Sequence, residues 1–222
     1  MMRTYSHNPK NLFMKHVKAF FTHYYSLFVL SFFVLAVFSF FFIDKLVFNW
    51  SFHLLATYHQ IFKFLSNAIS PPLLLSVCMI TFLAIRFFKI NPILIRPLFE
   101  ILTAQTFSVI ITYLSKVLIG RTRPHLFHKE GIFGFYGFHF DHYYHSFPSG
   151  HTIAAFTLST SLSLLYPSYR PLFYSIASLL SLCRVFMGSH YLSDMLGSSI
   201  IGITIAIMIH LTLKHIVDYR RE

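Results

Sequence analysis

The stretch from Tyr24 to Ile43, YYSLFVLSFFVLAVFSFFFI, contains 20 residues and no charged side chain. An α-helix needs about 20 consecutive apolar residues to cross the hydrocarbon core of a bilayer. The stretch is too long, and too far from the N-terminus, for a typical cleaved signal peptide, and no small-residue cleavage site follows it. It therefore predicts a membrane-spanning helix, and the residues Asp44, Lys45 and Trp50 after it are expected to mark the membrane interface.

The composition of the whole chain agrees with a membrane-embedded protein. Hydrophobic residues make up 55% of the 222 residues, charged residues only 11%, and the mean hydropathy is +0.62. A soluble domain of this length needs more charge to cover its surface. Five further apolar stretches follow, at 68–85, 97–115, 152–166, 172–187 and 195–213. The pattern predicts an all-α, integral membrane bundle of six transmembrane helices.

The domain organisation follows these stretches. We expect a single membrane domain over residues 1–222, because we find no internal repeat and no low-complexity linker. Its parts are a cytoplasmic N-terminal segment, the first two spans with an amphipathic interfacial helix between them, a four-span core and a basic cytoplasmic tail. These parts cover residues 1–22, 23–94 (with the interfacial helix at 51–67), 95–213 and 214–222.

The basic residues predict the orientation. With a cytoplasmic N-terminus, 11 of the 18 Lys and Arg residues fall on the inner side and 7 on the outer side. Because cytoplasmic loops carry an excess of Lys and Arg, both termini are predicted to be cytoplasmic. The net charge of +11 is then explained by membrane topology, and no nucleic-acid partner is expected. Cys78 and Cys183 lie inside apolar stretches and are interpreted as reduced thiols, not as a disulfide.

Three short polar segments lie at the predicted outer ends of these spans. In the first, Lys116 and Arg123 are seven residues apart and share a face if one helix continues through Gly120. Two fixed cations suit a phosphate dianion, and Arg adds bidentate geometry. A cluster of snorkelling basic side chains at a span end is the alternative. Arg121 is predicted to make only an interfacial contact.

The second segment, Pro148-Ser149-Gly150-His151, is typical of a helix start. Ser149 is a favourable N-cap, Gly150 lets the backbone approach a ligand, and free N–H groups at a helix start attract anions. His151 is placed beside them to protonate a leaving oxygen. An ordinary capped helix with a surface histidine is the alternative.

The third segment, Arg184-x5-His190-x3-Asp194, pairs a histidine with a carboxylate. On a helical turn, Asp194 can reach the imidazole of His190 and leave its other ring nitrogen free to attack phosphorus. Arg184 supplies a third cation, and an Arg so close to an apolar span is a functional candidate by default. The alternative is an intramembrane Arg–Asp pair that only ties two spans together. Six spans place all three segments on the outer side.

Together the three segments resemble the signature of the type 2 phosphatidic acid phosphatase superfamily, which also contains the vanadium haloperoxidases and glucose-6-phosphatase. The family pattern is Lys-x6-Arg-Pro, Pro-Ser-Gly-His and Ser-Arg-x5-His-x3-Asp, and the chain matches it over roughly residues 95–213. Cys183 stands where the family usually has Ser, and this departure is tolerable because the position flanks the chemistry. The membrane context argues against haloperoxidase activity, because those relatives are soluble.

The resemblance implies a role for each matching residue and an all-α six-span bundle. His190 would be the nucleophile that forms a phosphohistidine, Asp194 the residue that orients it, and His151 the general acid. The phosphate cradle would consist of Lys116, Arg123, Ser149, Gly150 and Arg184. The resemblance implies no metal and no cofactor, because fixed cations take the place of a metal.

The activity that the resemblance implies is a lipid phosphatase in a bacterial-type inner membrane, with its catalytic site at the periplasmic face. Undecaprenyl diphosphate is the first choice of substrate, because recycling of this carrier at the outer face suits the location. Lipid A 1-phosphate, phosphatidylglycerophosphate and phosphatidate are alternatives. A lipid-linked phosphotransferase is a second class of function. A non-catalytic transporter or scaffold is a third, against which the intact His190, Asp194 and His151 argue.

The loop at 125–147 carries five histidines outside the motifs. A zinc site through His139, Asp141 and His142 has irregular spacing, so an interfacial lid is the preferred interpretation. Such a lid would help to select the headgroup, or make activity depend on pH near the ordinary imidazole pKa of about 6.5.

Overall fold

The computed structural model describes residues 25–89 and 92–219, and within these residues the regular secondary structure is entirely helical. Residues 25–38 belong to α1. The helices that follow are α2 (Asp44–Asn67), α3 (Pro71–Phe88), α4 (Ile95–Ile119), α5 (Pro124–Glu130), α6 (Gly150–Leu165), α7 (Arg170–Phe186) and α8 (Leu192–Tyr219). The all-α prediction is confirmed. The predicted cytoplasmic segment 1–22 and the last tail residues, 220–222, lie outside the described residues.

Helix α6 is the centre of the bundle and packs against α4, α7 and α8. Its sequence, GHTIAAFTLSTSLSLL, is rich in Ala, Ser and Thr, and small side chains let neighbouring helices approach closely in a membrane. The closest approach involves Gly202 of α8, where a Cβ atom would lie 2.6 Å from the carbonyl oxygen of Ile153. This packing aligns the starts of α6 and α8 at one end of the bundle.

A π-helical turn, Ser39–Ile43, joins α1 to α2. Such turns occur frequently at functional sites, because one extra residue re-aims the side chains that follow. Here the turn is followed by Asp44, which is 1% exposed and accepts a hydrogen bond of 2.9 Å from Ser39 Oγ. Asp44 therefore lies in the protein interior, and its place at the depth of the membrane interface stays a prediction.

Helix α2 stays at the end of the bundle where α7 ends. The rings of Trp50 and Phe62 both contact Phe186, the last residue of α7, with centroids 6.1 and 5.7 Å away. Because Trp50 and Phe62 lie in opposite halves of α2 and both reach the same residue, α2 crosses the end of α7 and does not extend away from it. These contacts support a surface-lying helix where an interfacial helix is predicted, at residues 51–67.

Four helical stretches are long and apolar enough to cross a membrane: Tyr25–Ser51, Gln60–Phe88, Pro92–Ile119 and Leu192–Ile216. They support a multi-pass membrane protein. Helices α6 and α7 have 16 and 17 residues. At 1.5 Å per residue they measure about 24 and 26 Å, against a hydrocarbon core of about 30 Å. The count of six spans therefore stays a prediction.

The predicted spans overlap the helices, but two of them stop short of the helix ends that carry polar residues. The span predicted at 97–115 belongs to a helix that continues to Ile119, and the span predicted at 195–213 belongs to one that begins at Leu192. In both cases hydropathy falls at Lys116 or Asp194, while the backbone remains helical. Lys116 and Asp194 thus belong to helix ends.

Candidate active site

The first motif turns sharply where α4 ends. Gly120 has a φ of +56°, and a Cβ atom there would lie 1.8 Å from the carbonyl oxygen of Gly137, so only glycine fits. Lys116 and Arg123 therefore do not share a helical face: Lys116 lies in the last turn of α4, and Arg123 has extended backbone before α5. The fold nevertheless brings both cations within electrostatic reach of each other and of Arg184.

Arg123 anchors the histidine-rich loop. Its Nε donates to the carbonyl of His142 at 3.1 Å and its Nη2 to that of His145 at 3.3 Å, while its backbone N–H donates to Tyr143 at 2.8 Å. The charge of Arg123 is also the main reason that the pKa of His142 lies below its ordinary value. The loop is thus folded over the motif cation.

The start of α6 has the predicted position but not the predicted cap. Ser149 occupies the N-cap, yet its side chain makes no capping hydrogen bond; its Oγ accepts from Thr152 at 3.0 Å, and its N–H donates to Ser198 at 2.7 Å. Gly150 and His151 form the first turn. The N–H groups of a first turn have no intrahelical acceptor and lie at the positive end of the helix dipole, which favours an anion.

His190 is buried in the loop between α7 and α8. Its Nδ1 lies 2.7 Å from the carbonyl oxygen of Ser146, which can only accept, so Nδ1 carries the proton and Nε2 the lone pair. Burial lowers the pKa of His190 to about 3, although Asp194 acts in the opposite direction. The imidazole is therefore neutral at neutral pH, the form in which Nε2 is nucleophilic.

Asp194 is fully buried in the first turn of α8. It accepts hydrogen bonds from the guanidinium of Arg121, from Ser146 Oγ at 2.6 Å and from the N–H of Tyr191 at 2.9 Å. Its Oδ2 is 3.7 Å from His190 Nδ1, too far for a direct hydrogen bond. Ser146 closes the gap, because its carbonyl holds the imidazole and its hydroxyl holds the carboxylate.

Arg121 is 1% exposed, so its predicted interfacial role was wrong. It bridges Asp194 and Asp44, with Nη2 2.6 Å from Asp44 Oδ2. Three aromatic rings surround its guanidinium carbon at centroid distances of 4.9–5.1 Å: Phe40, Phe135 and Tyr191. The sequence held one signal for this bridge, since an acidic residue at the end of an uncharged run is a functional candidate.

Arg184 does not form the ion pair with Asp194 that the alternative interpretation of the third segment required. Its Nη1 donates to Ser66 Oγ at 3.2 Å, at the end of α2, while Asp194 pairs with Arg121. Cys183, in place of the family's Ser, donates within its own helix to the carbonyl of Leu179 at 3.4 Å. Arg184 thus contributes charge near the two histidines and is not the partner of the carboxylate.

A cavity of about 430 Å³ opens beside these groups. Its polar end is formed by Lys116, His142, His145, Gly150 and His151. Its other wall comes from α3 and α4 and is largely apolar: Pro71, Pro72, Leu75, Val109, Thr112 and Tyr113. The cavity can therefore hold an anion at one end and a hydrocarbon chain at the other.

Metal ligands are not grouped in the described part of the chain. Among residues 25–89 and 92–219, no cluster of three or more His, Cys, Asp or Glu side chains is arranged to hold a metal ion. The loop residues of the imagined zinc site make other contacts: the ring of His139 stacks on Tyr144 at 4.2 Å, and Asp141 accepts from the N–H of Tyr143.

Two relatives of known name share part of the sequence. Over 100 residues the chain is 37% identical to a lipid A 1-phosphatase of Rhizobium etli, and over 96 residues it is 38% identical to one of Rhizobium johnstonii. The matches cover 45% and 43% of this chain. They cover only 43% and 39% of the relatives, so the matched region spans less than half the length of either.

The fold and the family model extend the comparison. The structure resembles the crystal structure of a transmembrane PAP2-type phosphatidylglycerolphosphate phosphatase from Bacillus subtilis, with a TM-score of 0.58 and 17% identity. The likeness covers 86% of this chain and 96% of that one, and at this identity it shows the fold alone. The model of the PAP2 superfamily matches residues 97–217, more than half of the chain, including all three motifs. The chain belongs to the PAP2 superfamily.

Proposed function

We propose that the protein is a membrane lipid phosphatase that transfers a phosphoryl group first to His190 and then to water. The observation that carries the proposal is the cavity of about 430 Å³, in which Lys116, Gly150 and His151 face an apolar wall. A substrate with a phosphate and a long hydrocarbon tail fits both ends. Pro71 and Leu75 would line the path of the tail between α3 and α4.

The chemistry follows from the charges and the neutral imidazole. The phosphate binds among Lys116, Arg123 and Arg184, which stabilise negative charge without a metal. His190 Nε2 attacks phosphorus, the bond to the leaving oxygen breaks, and His151 gives that oxygen a proton. Burial, and then the charge of Arg184, lower the pKa of His151 to about 2, so the proton must arrive with the bound phosphate monoanion, whose remaining negative charge favours protonated His151. A water molecule then gives a proton to His151 and attacks the phosphohistidine, which releases inorganic phosphate and restores neutral His190.

The choice of the first substrate to test comes from the relatives. Two proteins named lipid A 1-phosphatase share 37% and 38% identity with this chain over 100 and 96 residues, which favours a lipid A phosphate. Undecaprenyl diphosphate, the first choice from the sequence, stays a prediction, as do phosphatidylglycerophosphate and phosphatidate. The excess of inner Lys and Arg supports a site at the periplasmic face of an inner membrane.

The test is release of inorganic phosphate by the purified protein in detergent, with EDTA present. The four lipids are compared, beside a His190→Ala variant and a matched His215→Ala variant at the exposed far end of α8. We expect metal-free release that disappears in His190→Ala and persists in His215→Ala. A folded protein that releases phosphate from none of the lipids would overturn hydrolysis.

The same experiment separates hydrolysis from phosphotransfer. With a radiolabelled phosphate on the donor lipid, hydrolysis gives labelled inorganic phosphate, whereas transfer gives a second labelled lipid. In both cases the label passes through His190, and an acid-labile, alkali-stable phosphoprotein trapped by rapid quenching would report it.

A further inference from the structure

Three charged side chains form a buried cluster beside His190. Arg121 lies between Asp44 and Asp194, and the three side chains are at most 2% exposed. Buried charges are stable only when they are paired and their remaining hydrogen-bonding positions are filled. That condition is met for Asp44, which also accepts from Ser39 Oγ at 2.9 Å and from both the N–H and the hydroxyl of Ser193.

The cluster has a charge that suits the reaction of His190. Asp194 and Arg121 alone form a neutral pair, which offers little to a developing imidazolium. Asp44 adds a second negative charge, so the cluster with both carboxylates ionised has a net charge of −1. Its enclosure by Phe40, Phe135 and Tyr191 excludes water, and charges interact more strongly in such a medium.

Asp44 reaches the cluster from outside the part of the chain that matches the family model, which is 97–217. The π turn Ser39–Ile43 directly precedes Asp44. Ser193 of α8, next to Asp194, donates its N–H to the Asp44 carboxylate. The N-terminal helix is thus tied to the residue that holds the nucleophile's carboxylate.

We propose that Asp44 and Arg121 are positioning residues for the phosphoryl transfer: Arg121 fixes the Asp194 carboxylate, and Asp44 fixes Arg121 and supplies the negative charge that balances the imidazolium of His190. This inference rests on the proposed function, because the two residues act in the proposed phosphoryl transfer. It makes α1 and its π turn part of the reactive unit, although neither residue touches the substrate.

The test compares Asp44→Asn with wild type in two readouts. In lipid phosphate hydrolysis, we expect kcat to fall about ten- to a hundredfold, as for loss of a hydrogen bond to a charged group, with KM changed by less than about threefold. In binding by calorimetry, orthovanadate mimics the five-coordinate phosphorus and inorganic phosphate the ground state. We expect orthovanadate to bind more weakly by a similar factor and phosphate to bind as to wild type.

The matched control is Glu100→Gln, which replaces a carboxylate by an amide without changing side-chain length, as Asp44→Asn does. Glu100 is 8% exposed and pairs with His210 at 2.6 Å, and neither residue belongs to the site. This carboxylate-to-amide change should leave kcat and both affinities within about twofold of wild type, as expected for a pair remote from the reaction. A folded Asp44→Asn protein with wild-type kcat, or with equal losses of phosphate and vanadate affinity, would overturn the proposal.

A milder variant covers the case in which Asp44→Asn does not fold. Ser193→Ala removes only one donor to Asp44, and we expect a smaller fall in kcat with the same preference against vanadate; wild-type behaviour of this variant would then count against the proposal. Failure of the proposed function is distinguishable, because it shows as wild-type protein that hydrolyses no lipid. The binding comparison decides the role of Asp44 in that case as well.

Discussion

At the scale of single residues, the proposed phosphoryl transfer depends on how the imidazole of His190 is kept neutral and oriented. Burial disfavours its protonated form, and the carbonyl of Ser146 fixes the proton on Nδ1. The carboxylate of Asp194 is close enough to stabilise positive charge but does not bind the ring directly. Ser146 therefore links the two, although it belongs to none of the three motifs.

Removal of the Ser146 hydroxyl should slow the reaction without weakening substrate binding. Ser146→Ala keeps the backbone carbonyl that binds His190 but removes the donor to Asp194. A hydrogen bond to a charged group contributes about 1.5–3 kcal/mol, so we expect kcat to fall at least about tenfold with KM nearly unchanged. The measurement is steady-state phosphate release.

The matched control for that variant is Ser181→Ala. Ser181 is also buried, but its Oγ has no hydrogen-bond partner among the described residues. Its removal should leave kcat as in wild type. Equal losses in both variants would mean that buried serines matter only for packing.

The buried state of His190 also predicts a dependence of stability on pH. Its pKa is about 3 in the folded protein, below the ordinary 6.5, so the folded state binds fewer protons in this window. The stability it contributes is complete above about pH 6.5 and is lost as the pH falls toward 3, by at most about 1.4 kcal/mol per pH unit. We expect the unfolding temperature in detergent to fall from about pH 7 to pH 5, and to fall less in His190→Gln. Equal slopes would contradict this.

The motif residues could be predicted from the sequence, because their spacing is chemically distinctive. The bridge around them could not. Arg121 and Asp44 are 77 residues apart, and no local pattern says that a turn will bring them together. For Ser146, one of the two groups that act is a backbone carbonyl, which every residue has.

At the scale of elements, the contact between α6 and α8 positions the start of α6. Thr157 Oγ1 donates to the carbonyl of Gly202 at 3.2 Å, which is possible only because Gly202 carries no side chain. The position of the first turn of α6, which contains Gly150 and His151, depends on this contact.

Gly202→Ala should destabilise the protein although alanine favours helices. In a free helix this change stabilises by about 1 kcal/mol. Here the new Cβ would lie 2.6 Å from the Ile153 carbonyl oxygen, so α6 and α8 must separate. We expect a net loss of about 1–3 kcal/mol, seen as a lower midpoint of thermal unfolding by circular dichroism.

Thr212→Ala, at an exposed position of the same helix, is the control and should change the unfolding free energy by less than about 0.5 kcal/mol. A Gly202→Ala protein as stable as wild type would show that the helices can separate without loss.

The helices themselves were predicted well where apolar periods are long, and less well at their ends. Hydropathy marks where the membrane environment stops, not where the backbone ceases to be helical. The end of α4 instead depends on Gly120, whose positive φ and contact with Gly137 terminate the helix. That contact joins residues in different segments, so local sequence does not reveal it.

At the scale of the whole molecule, the polar segments and the remote helix ends lie on opposite sides. Pro71, at the start of α3, lines the cavity, while Lys89 follows the other end of the same helix. With both termini in the cytoplasm, as the basic residues predict, the cavity faces the periplasm.

This orientation is testable with single cysteines in a Cys78→Ser, Cys183→Ser background. Phe138→Cys is exposed in the loop over the site, and Lys89→Cys is exposed at the far end of α3. We expect a membrane-impermeant maleimide to label position 138 in intact spheroplasts and position 89 only after permeabilisation. The reverse order would place the cavity in the cytoplasm, and labelling of both from one side would contradict the arrangement of α3.

The short length of α7 has a consequence for the surrounding lipid. With α7 as a span, about 26 Å of protein meets a hydrocarbon core of about 30 Å, and a bilayer can accommodate such a mismatch by thinning. Helix α6 is covered by α4, α7 and α8, so its length does not act on the lipid. The membrane is therefore expected to be thinner beside α7 than beside the longer α4 and α8.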